Sequence, residues 1–394
     1  MKSKYKLTVL PIKLIGNFLF FTALMLGMSW KANAATYYGK TGVSPHLTTS
    51  WGNVSGGSGT APTNFTTAGD VFIIENGTTM TATAAWIVGA AGTTASTLQI
   101  NSGGTLAMST FLLTLASCDF TNAGTYSGSG GVTISGTLVT NSVAGFTTTG
   151  TVSMTKTAGT VTFTGNVSGA GLTINGIGGT LNLGTSLTHA FTGTWTRTNG
   201  ILNGGSSILR LAGTSSGTGG TFTAGTGTVD YNATGVQTVA NVTYNNLTLS
   251  GSGAKTTTSV TVNGILSMEG TATASAAPTY GTSATLQYNT STARTAGVEW
   301  VSPFPGSGGV VITNSGVITL NAAKVINTLS IASGAVVNLS TFTTSRTGIL
   351  VLNNTTQPNG SYGGTTSSAT NINTTYFGSA TGVLTVSNSW TGAT

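Results

Sequence analysis

Leu98-Gln-Ile100-Asn-Ser-Gly103-Gly104-Thr-Leu106-Ala-Met108 is the stretch that decides how this chain folds. Leu98, Ile100, Leu106 and Met108 alternate with polar or small residues, the period of a strand with one buried face. Between the two apolar pairs, Asn101-Ser-Gly103-Gly104 is corner chemistry, because Asn and Gly accept the left-handed backbone that a tight turn needs. The stretch therefore reads as strand, corner, strand. Leu329-Ser-Ile331-Ala-Ser-Gly334-Ala-Val336 begins another copy. The second half alone returns as Gly136-Thr-Leu138, Gly179-Thr-Leu181-Asn-Leu183, Gly200-Ile-Leu202, Gly264-Ile-Leu266-Ser-Met268, Gly316-Val-Ile318-Thr-Leu320 and Gly348-Ile-Leu350-Val-Leu352. Glycines 136, 179, 200 and 264 stand 43, 21 and 64 residues apart, or two, one and three periods of about 21. Later steps of 52, 18 and 14, through Gly316, Gly334 and Gly348, depart from that rule.

Shorter apolar-x-apolar triplets fill the intervals: Leu113-Thr-Leu115, Val132-Thr-Ile134, Leu172-Thr-Ile174, Leu247-Thr-Leu249 and Val260-Thr-Val262. Turn formers flank each one, and no amphipathic helix of ten residues or more follows the first 34. The fold class is all-β. A degenerate period near 20 made of short strands predicts a parallel β-helix, or β-solenoid, with coils of about 20 residues. One coil cannot cover its own apolar side chains; the next, stacked ~4.8 Å above, pairs its backbone and buries its core. The span 71–353 gives roughly 13 coils. Leu, Ile, Val, Met and Phe are expected inside, with Thr, Ser, Asn and Gln outside. The alternative architecture is a string of tandem β-sandwich domains, chiefly over Phe222–Glu299. A transmembrane barrel would want alternating strands of ~10 residues with aromatic girdles, and the apolar runs here are shorter.

Charge is scarce: 13 Lys and Arg and 6 Asp and Glu in 394 residues, against 58 Gly. Five of the lysines (Lys2, Lys4, Lys6, Lys13, Lys31) precede Ala35, leaving eight bases and six acids. No basic cluster remains to displace counterions from nucleic acid. Residues 1–34 carry a positive start, an apolar run from Leu14 to Met28 and a small-residue site, Ala32-Asn33-Ala34. Those parts predict a secretory signal peptide, cleavage after Ala34, and no membrane span thereafter. The expected location is secreted or on the outer cell surface. Cys118 stands alone among strand-like residues and is expected to be a buried, inert thiol.

The ends differ from the middle. Residues 35–70 lack the triplets but hold Tyr37, Tyr38, Trp51 and Phe65, which suits an N-terminal cap over the first open coil. Solenoid repeats are expected over 71–353, a terminal coil or module end over 354–386, and the possible start of a truncated following module over 387–394. Pro358-Asn-Gly-Ser-Tyr-Gly-Gly364 and Tyr376-Phe-Gly-Ser-Ala-Thr-Gly-Val-Leu-Thr-Val386 resemble the module end of large secreted β-strand-repeat proteins of Bacteroidetes-type bacteria, in which a Ser-Trp-Thr-Gly such as that at Ser389 opens the next module. Thr49-Ser50-Trp51-Gly52 and Pro62-Thr-Asn-Phe65 resemble the module starts. The resemblance implies a surface or secreted protein, often of several modules.

Of the acids Asp70, Glu75, Asp119, Asp230, Glu269 and Glu299, none of the later four has a partner one coil away, and among those four Asp230 and Glu269 fall nearest two periods. Glycoside hydrolysis needs two carboxylates about one bond. Lys156, Arg197 and Arg210 have no acids beside them in the pattern, so these charges read as isolated surface groups. His46 and His189 lack partners at ligand spacing and read as surface or cap residues. Glycine-rich stretches such as 213–220 lack the phosphate-loop lysine. Thr162-Phe-Thr164, Thr194-Trp-Thr196, Thr196-Arg-Thr198, Thr221-Phe-Thr223 and Thr341-Phe-Thr343 raise an ice-binding hydroxyl ladder, though their spacing is irregular. The expectation is a non-enzymatic structural or adhesive solenoid, with no catalytic, cofactor or metal residues, whose partner is an unidentified surface or matrix ligand such as polysaccharide, or further modules of the same protein. The alternative is a carbohydrate-binding or polysaccharide-degrading β-helix, for which Trp195, Trp300, Tyr231 and Tyr288 beside Asp230 would have to be exposed along a groove.

Overall fold

A parallel pairing of strands about 20 residues apart builds the molecule. The computed structural model describes residues 34–90, 92 and 94–388. The predicted leader up to residue 33 and residues 389–394 lie outside them. About 13 coils stack as a β-solenoid, and helix is confined to short turns. A typical coil has three strands, such as Ser96–Ile100, Thr105–Ala107 and Leu113–Ala116. The next coil repeats them as Cys118–Asn122, Thr125–Ser127 and Val132–Ser135, each in parallel register with its predecessor. Three faces result, called first, second and third in that order.

Alternation then decides what each face buries. On the second face Leu209, Val229, Leu247, Leu266, Leu286, Val310, Leu329 and Leu350 stack in one column. Leu211, Tyr231, Leu249, Met268, Tyr288, Ile312, Ile331 and Leu352 form its neighbour. All are buried, and each aliphatic contributes roughly 1.5–3 kcal/mol of transfer free energy. The third face stacks Trp86, Leu113, Val132, Val152, Leu172 and Trp195. The stretch 222–299 continues these parallel ladders, so the tandem-sandwich alternative does not hold there.

Both ends of the stack are covered. Thr36–Gly39 runs parallel to Val71–Ile74 and antiparallel to Trp51–Gly52. Trp51 is fully buried against the open coil, with ring centroids 5.6 Å from Trp86 and 5.4 Å from Phe72. At the other end Val383–Val386 pairs parallel with the start of Ser345–Leu352 and antiparallel with Gly360–Gly363. The turn Thr374–Phe377 drives Phe377 into the core.

The corner between the second and third faces explains part of the glycine content. A Cβ on Gly213 would collide with the backbone of Gly193 one coil below, and one on Gly150 with Gly130. Neither Gly213 nor Gly150 has positive φ, so close approach alone demands glycine there. Gly213→Ala is expected to cost about 1–3 kcal/mol through overpacking. Gly235→Ala, whose Cβ would meet nothing within 4 Å, is the control. Equal denaturation midpoints for the two variants would remove the close-packed corner from the account.

Candidate functional site

The scarce charges are largely internal, which corrects the expectation of isolated surface groups. Lys156 and Lys255 are fully buried; Lys324 and Arg197 are nearly so, and the Arg294 side chain is 8% exposed. Their parity places them inside: Arg197 lies two residues after inward Trp195, and Lys156 two after inward Met154. The three lysines and Arg294 lie along apolar surface and place their heads on backbone carbonyls near the corners, whereas the Arg197 guanidinium lies 5.6 Å from the Trp195 ring centroid. Lys255 Nζ donates to Ala233 O at 2.7 Å and Gln237 Oε1 at 3.0 Å. Lys324 Nζ donates to Trp300 O at 2.6 Å, and Arg294 Nη2 to Ala272 O at 2.6 Å. Lys156 Nζ reaches Leu138 O at 3.2 Å and Asn141 Oδ1 at 2.9 Å. Burial lowers the pKa of Lys156, Lys255 and Lys324.

Glu299 is also wholly buried, at the coil lengthened by residues 296–308. Tyr288 Oη and the Gly297 N–H donate to its Oε1, both at 2.8 Å, and Arg294 Nη2 stands 4.0 Å away. Tyr280 Oη donates to its backbone carbonyl at 2.6 Å. Arg294 lies 5.6 Å from the Tyr288 ring centroid, and Lys324 Nζ 5.8 Å from that of Trp300. Burial, then the glutamate charge, pushes the Tyr288 hydroxyl well above its ordinary pKa. Glu299 Oε2, Arg294 Nε and Nη1 and Trp300 Nε1 have no protein partner. This polar knot is internal and presents no open face to a substrate.

His189 is a second correction: it is fully buried rather than at a surface or cap. The Val167 N–H donates to its Nδ1 at 3.1 Å, and its Nε2 lies 2.8 Å from Leu183 O. That pattern fits only the neutral ring protonated on Nε2. His46 is half-buried, with Nδ1 2.7 Å from Ser44 Oγ. Cys118 is fully buried and burial pushes its thiol pKa up. Among the described residues no three His, Cys, Asp or Glu side chains come together to hold a metal ion, and no helix is long and apolar enough to cross a membrane.

Three of the remaining charges, Arg210, Asp230 and Glu269, lie on the second face. Arg210 and Asp230 are cross-strand neighbours 3.7 Å apart, and Ser250 Oγ donates to Asp230 at 2.6 Å. Ser267 Oγ and Asn289 Nδ2 donate to Glu269 at 2.9 and 3.1 Å. Glu269 borders a shallow depression of about 190 Å³ with Thr248, Asn246 and Gln287. Burial raises the Asp230 pKa, Ser250 lowers it, and the Glu269 charge raises it again. In register Asp230 meets Thr248 and then Ser267, so Glu269 sits two coils and two residues away. Strand geometry makes that on the order of 11 Å, wider than the ~5–9.5 Å between paired glycosidase carboxylates. Trp195, Trp300, Tyr231 and Tyr288 are all buried, at 0, 2, 0 and 0% exposure, so they form no aromatic platform. Tyr231 Oη instead lies 2.8 Å from Ser215 Oγ and 3.0 Å from Tyr244 Oη, inside the core.

The five Thr-x-Thr triplets do not form one ladder. Thr162 and the pair Thr221 and Thr223 lie on the first face, Thr196 and Thr198 on the third, and Thr341 and Thr343 outside any strand. Two other tracks do run in register. On the first face Thr140, Thr160, Thr180, Ile201 and Thr221 follow one another, flanked by Ser142, Thr162, Asn182, Asn203 and Thr223. On the third face Thr114, Thr133, Ser153, Thr173, Thr196 and Ser216 do the same. Thr-x-Thr triplets do not mark these tracks because Ser and Asn alternate with Thr; steps near 20 between polar outward positions carry the signal. No protein-family model, no curated protein and no solved structure matches the chain.

Two outcomes follow from the buried charges. Glu299→Ala, which leaves Arg294 buried without a counter-charge, is expected to cost about 3–5 kcal/mol in denaturant unfolding; a loss under about 1 kcal/mol contradicts the pairing. Burial lowers the His189 pKa from 6.5, so below that pH the unfolded chain binds a proton the folded chain refuses. Stability should therefore fall as pH drops through 6.5, and melting curves of His189→Gln should show a flatter dependence over that window.

Proposed function

We propose that the protein is a non-enzymatic structural and adhesive solenoid of the cell surface or extracellular space. One observation carries the reading: over successive coils the first and third faces present hydroxyl and amide side chains in register, with almost no charge among them. A regular uncharged surface suits contact with a neutral, hydrated polymer such as polysaccharide, where hydrogen bonds are exchanged without desolvating ions. Covered stack ends support a unit that meets partners along its sides. The secretory features of residues 1–34 and the resemblance of the module ends to secreted strand-repeat proteins support an exported location. The fold by itself does not select this function.

The same tracks support a second reading. Rows of hydroxyls at strand spacing hold first-layer water in register, which is what an ice-binding face requires. Purified mature protein is expected to be retained on insoluble polysaccharide, extracellular matrix or cells, and to stay bound as salt rises, because few ion pairs are available to screen. Absence of retention on all three overturns adhesion, and release of sugar reducing ends from the polysaccharide overturns the non-enzymatic assignment. Thermal hysteresis in freezing solutions of the protein would transfer the tracks to the ice-binding reading.

A further inference from the structure

We propose that Lys156 and Asn141 are joined by an intramolecular isopeptide bond, from the lysine Nζ to the asparagine Cγ. Asn141 stands on the first face in Thr140–Val143, and Lys156 precedes the next strand of that face, Thr160–Phe163. The bond would tie the two ends of a single coil where the chain steps up to the next.

Both partners are withdrawn from water, at 0% and 6% exposure. Nζ lies 2.9 Å from Asn141 Oδ1, and Asn141 Nδ2 donates to Cys118 O at 3.1 Å. The second hydrogen bond fixes the carboxamide with its oxygen toward the lysine and its nitrogen away from it. The lysine is set up as a free amine. An ammonium has three N–H groups to place, whereas a neutral amine has two and a lone pair. Nζ of Lys156 has two acceptors, Leu138 O and Asn141 Oδ1. Among the described residues no carboxylate forms an ion pair with it. Lys255 makes the contrast: its Nζ has three acceptors, Ala233 O, Gly235 O and Gln237 Oε1, the complement of an ammonium. Burial also pulls the Lys156 pKa down, opposed by the charge of Asp119 on the outer side of the neighbouring strand.

The reaction needs no co-reactant. The Nζ lone pair attacks Cγ, a C–N bond forms, and the Cγ–Nδ2 bond breaks. Nδ2 departs as ammonia with the proton that Nζ gives up, leaving a secondary amide whose one N–H can still donate to Leu138 O. Fixed proximity replaces an encounter in solution. The product also removes an amine whose charged form would be costly to bury unpaired.

Mass spectrometry of the wild-type mature protein tests this directly. The intact mass should fall short of the linear sequence by one ammonia, and proteolysis should yield a branched peptide linking Lys156 to Asn141. The branched peptide is the deciding readout, because succinimide formation at any of six Asn-Gly steps, at Asn76, Asn175, Asn199, Asn203, Asn263 and Asn359, also expels ammonia. Lys156→Met and Asn141→Leu should each abolish the branch, while Lys255→Met keeps it. Recovery of Lys156 and Asn141 only in unlinked peptides from the wild-type protein overturns the proposal.

Discussion

The structure rests on the parallel ladder between coils. Each coil must place its backbone groups on the coil below and offer them to the one above, on three faces at once. That requirement fixes the rise at strand spacing and leaves the coil's length free only at its corners. Val229, Leu247, Leu266 and Leu286 are 18, 19 and 20 residues apart and still stack as one column. Between Leu286 and Val310 the step is 24, and the excess is taken up by residues 296–308 outside the second-face ladder. Variation is pushed into corners because a slipped strand would turn every inward side chain outward.

Corners in turn account for the odd placement of charge. A chain that turns sharply points some carbonyls inward, and an apolar core cannot satisfy them. Lys324 and Arg294 reach such carbonyls from 24 and 22 residues further along the chain, a little over one coil, and Lys255 adds a second donor to Ala233 O, which also accepts the Ser252 N–H. The cations are thereby structural donors, and the low count of charged residues reflects how few corners need one. Glu299 belongs to the same logic. Where the lengthened coil brings Arg294 and Lys324 to one level of the core, a carboxylate offsets positive charge that hydrogen bonds to carbonyls alone would leave unbalanced.

Much of this fold was legible in the sequence. Leu98 to Met108 contains a strand, a corner and a second strand in their true order, since alternation and turn chemistry are both local. The coil period was legible for the same reason. The three-faced section was not, because strands such as Leu172–Asn182 run on through a corner marked by Asn175-Gly176 and Gly178-Gly179, so a turn signal there does not separate one strand from the next. Lys156 and Arg197 were misread because polarity was weighed above parity, although counting two residues from Met154 and Trp195 puts both inside. Glu299 was illegible for a different reason. Its partners Tyr288 and Lys324 come from neighbouring coils at distances no motif prescribes.

The outer surface obeys the weakest constraint and so carries the least readable pattern. An outward position on a half-buried sheet must favour extended backbone and tolerate water, and Thr, Ser and Asn all satisfy that near a corner. Substitution among them leaves stability nearly unchanged, so a track such as Thr114, Thr133, Ser153, Thr173, Thr196 and Ser216 is regular in oxygen position while irregular in residue name. A partner that recognises this surface would read spacing rather than identity. It would need a repeat of its own near the ~4.8 Å rise of the coils, which favours an extended polymer over a compact ligand. The second face breaks the rule at Arg210, Asp230 and Glu269, where charge is anchored by Ser250, Ser267 and Asn289. If one side of the molecule discriminates among polymers by charge, that side is the second face, since the third-face track carries no charge and the first face shows Asp119 and Arg346 only singly.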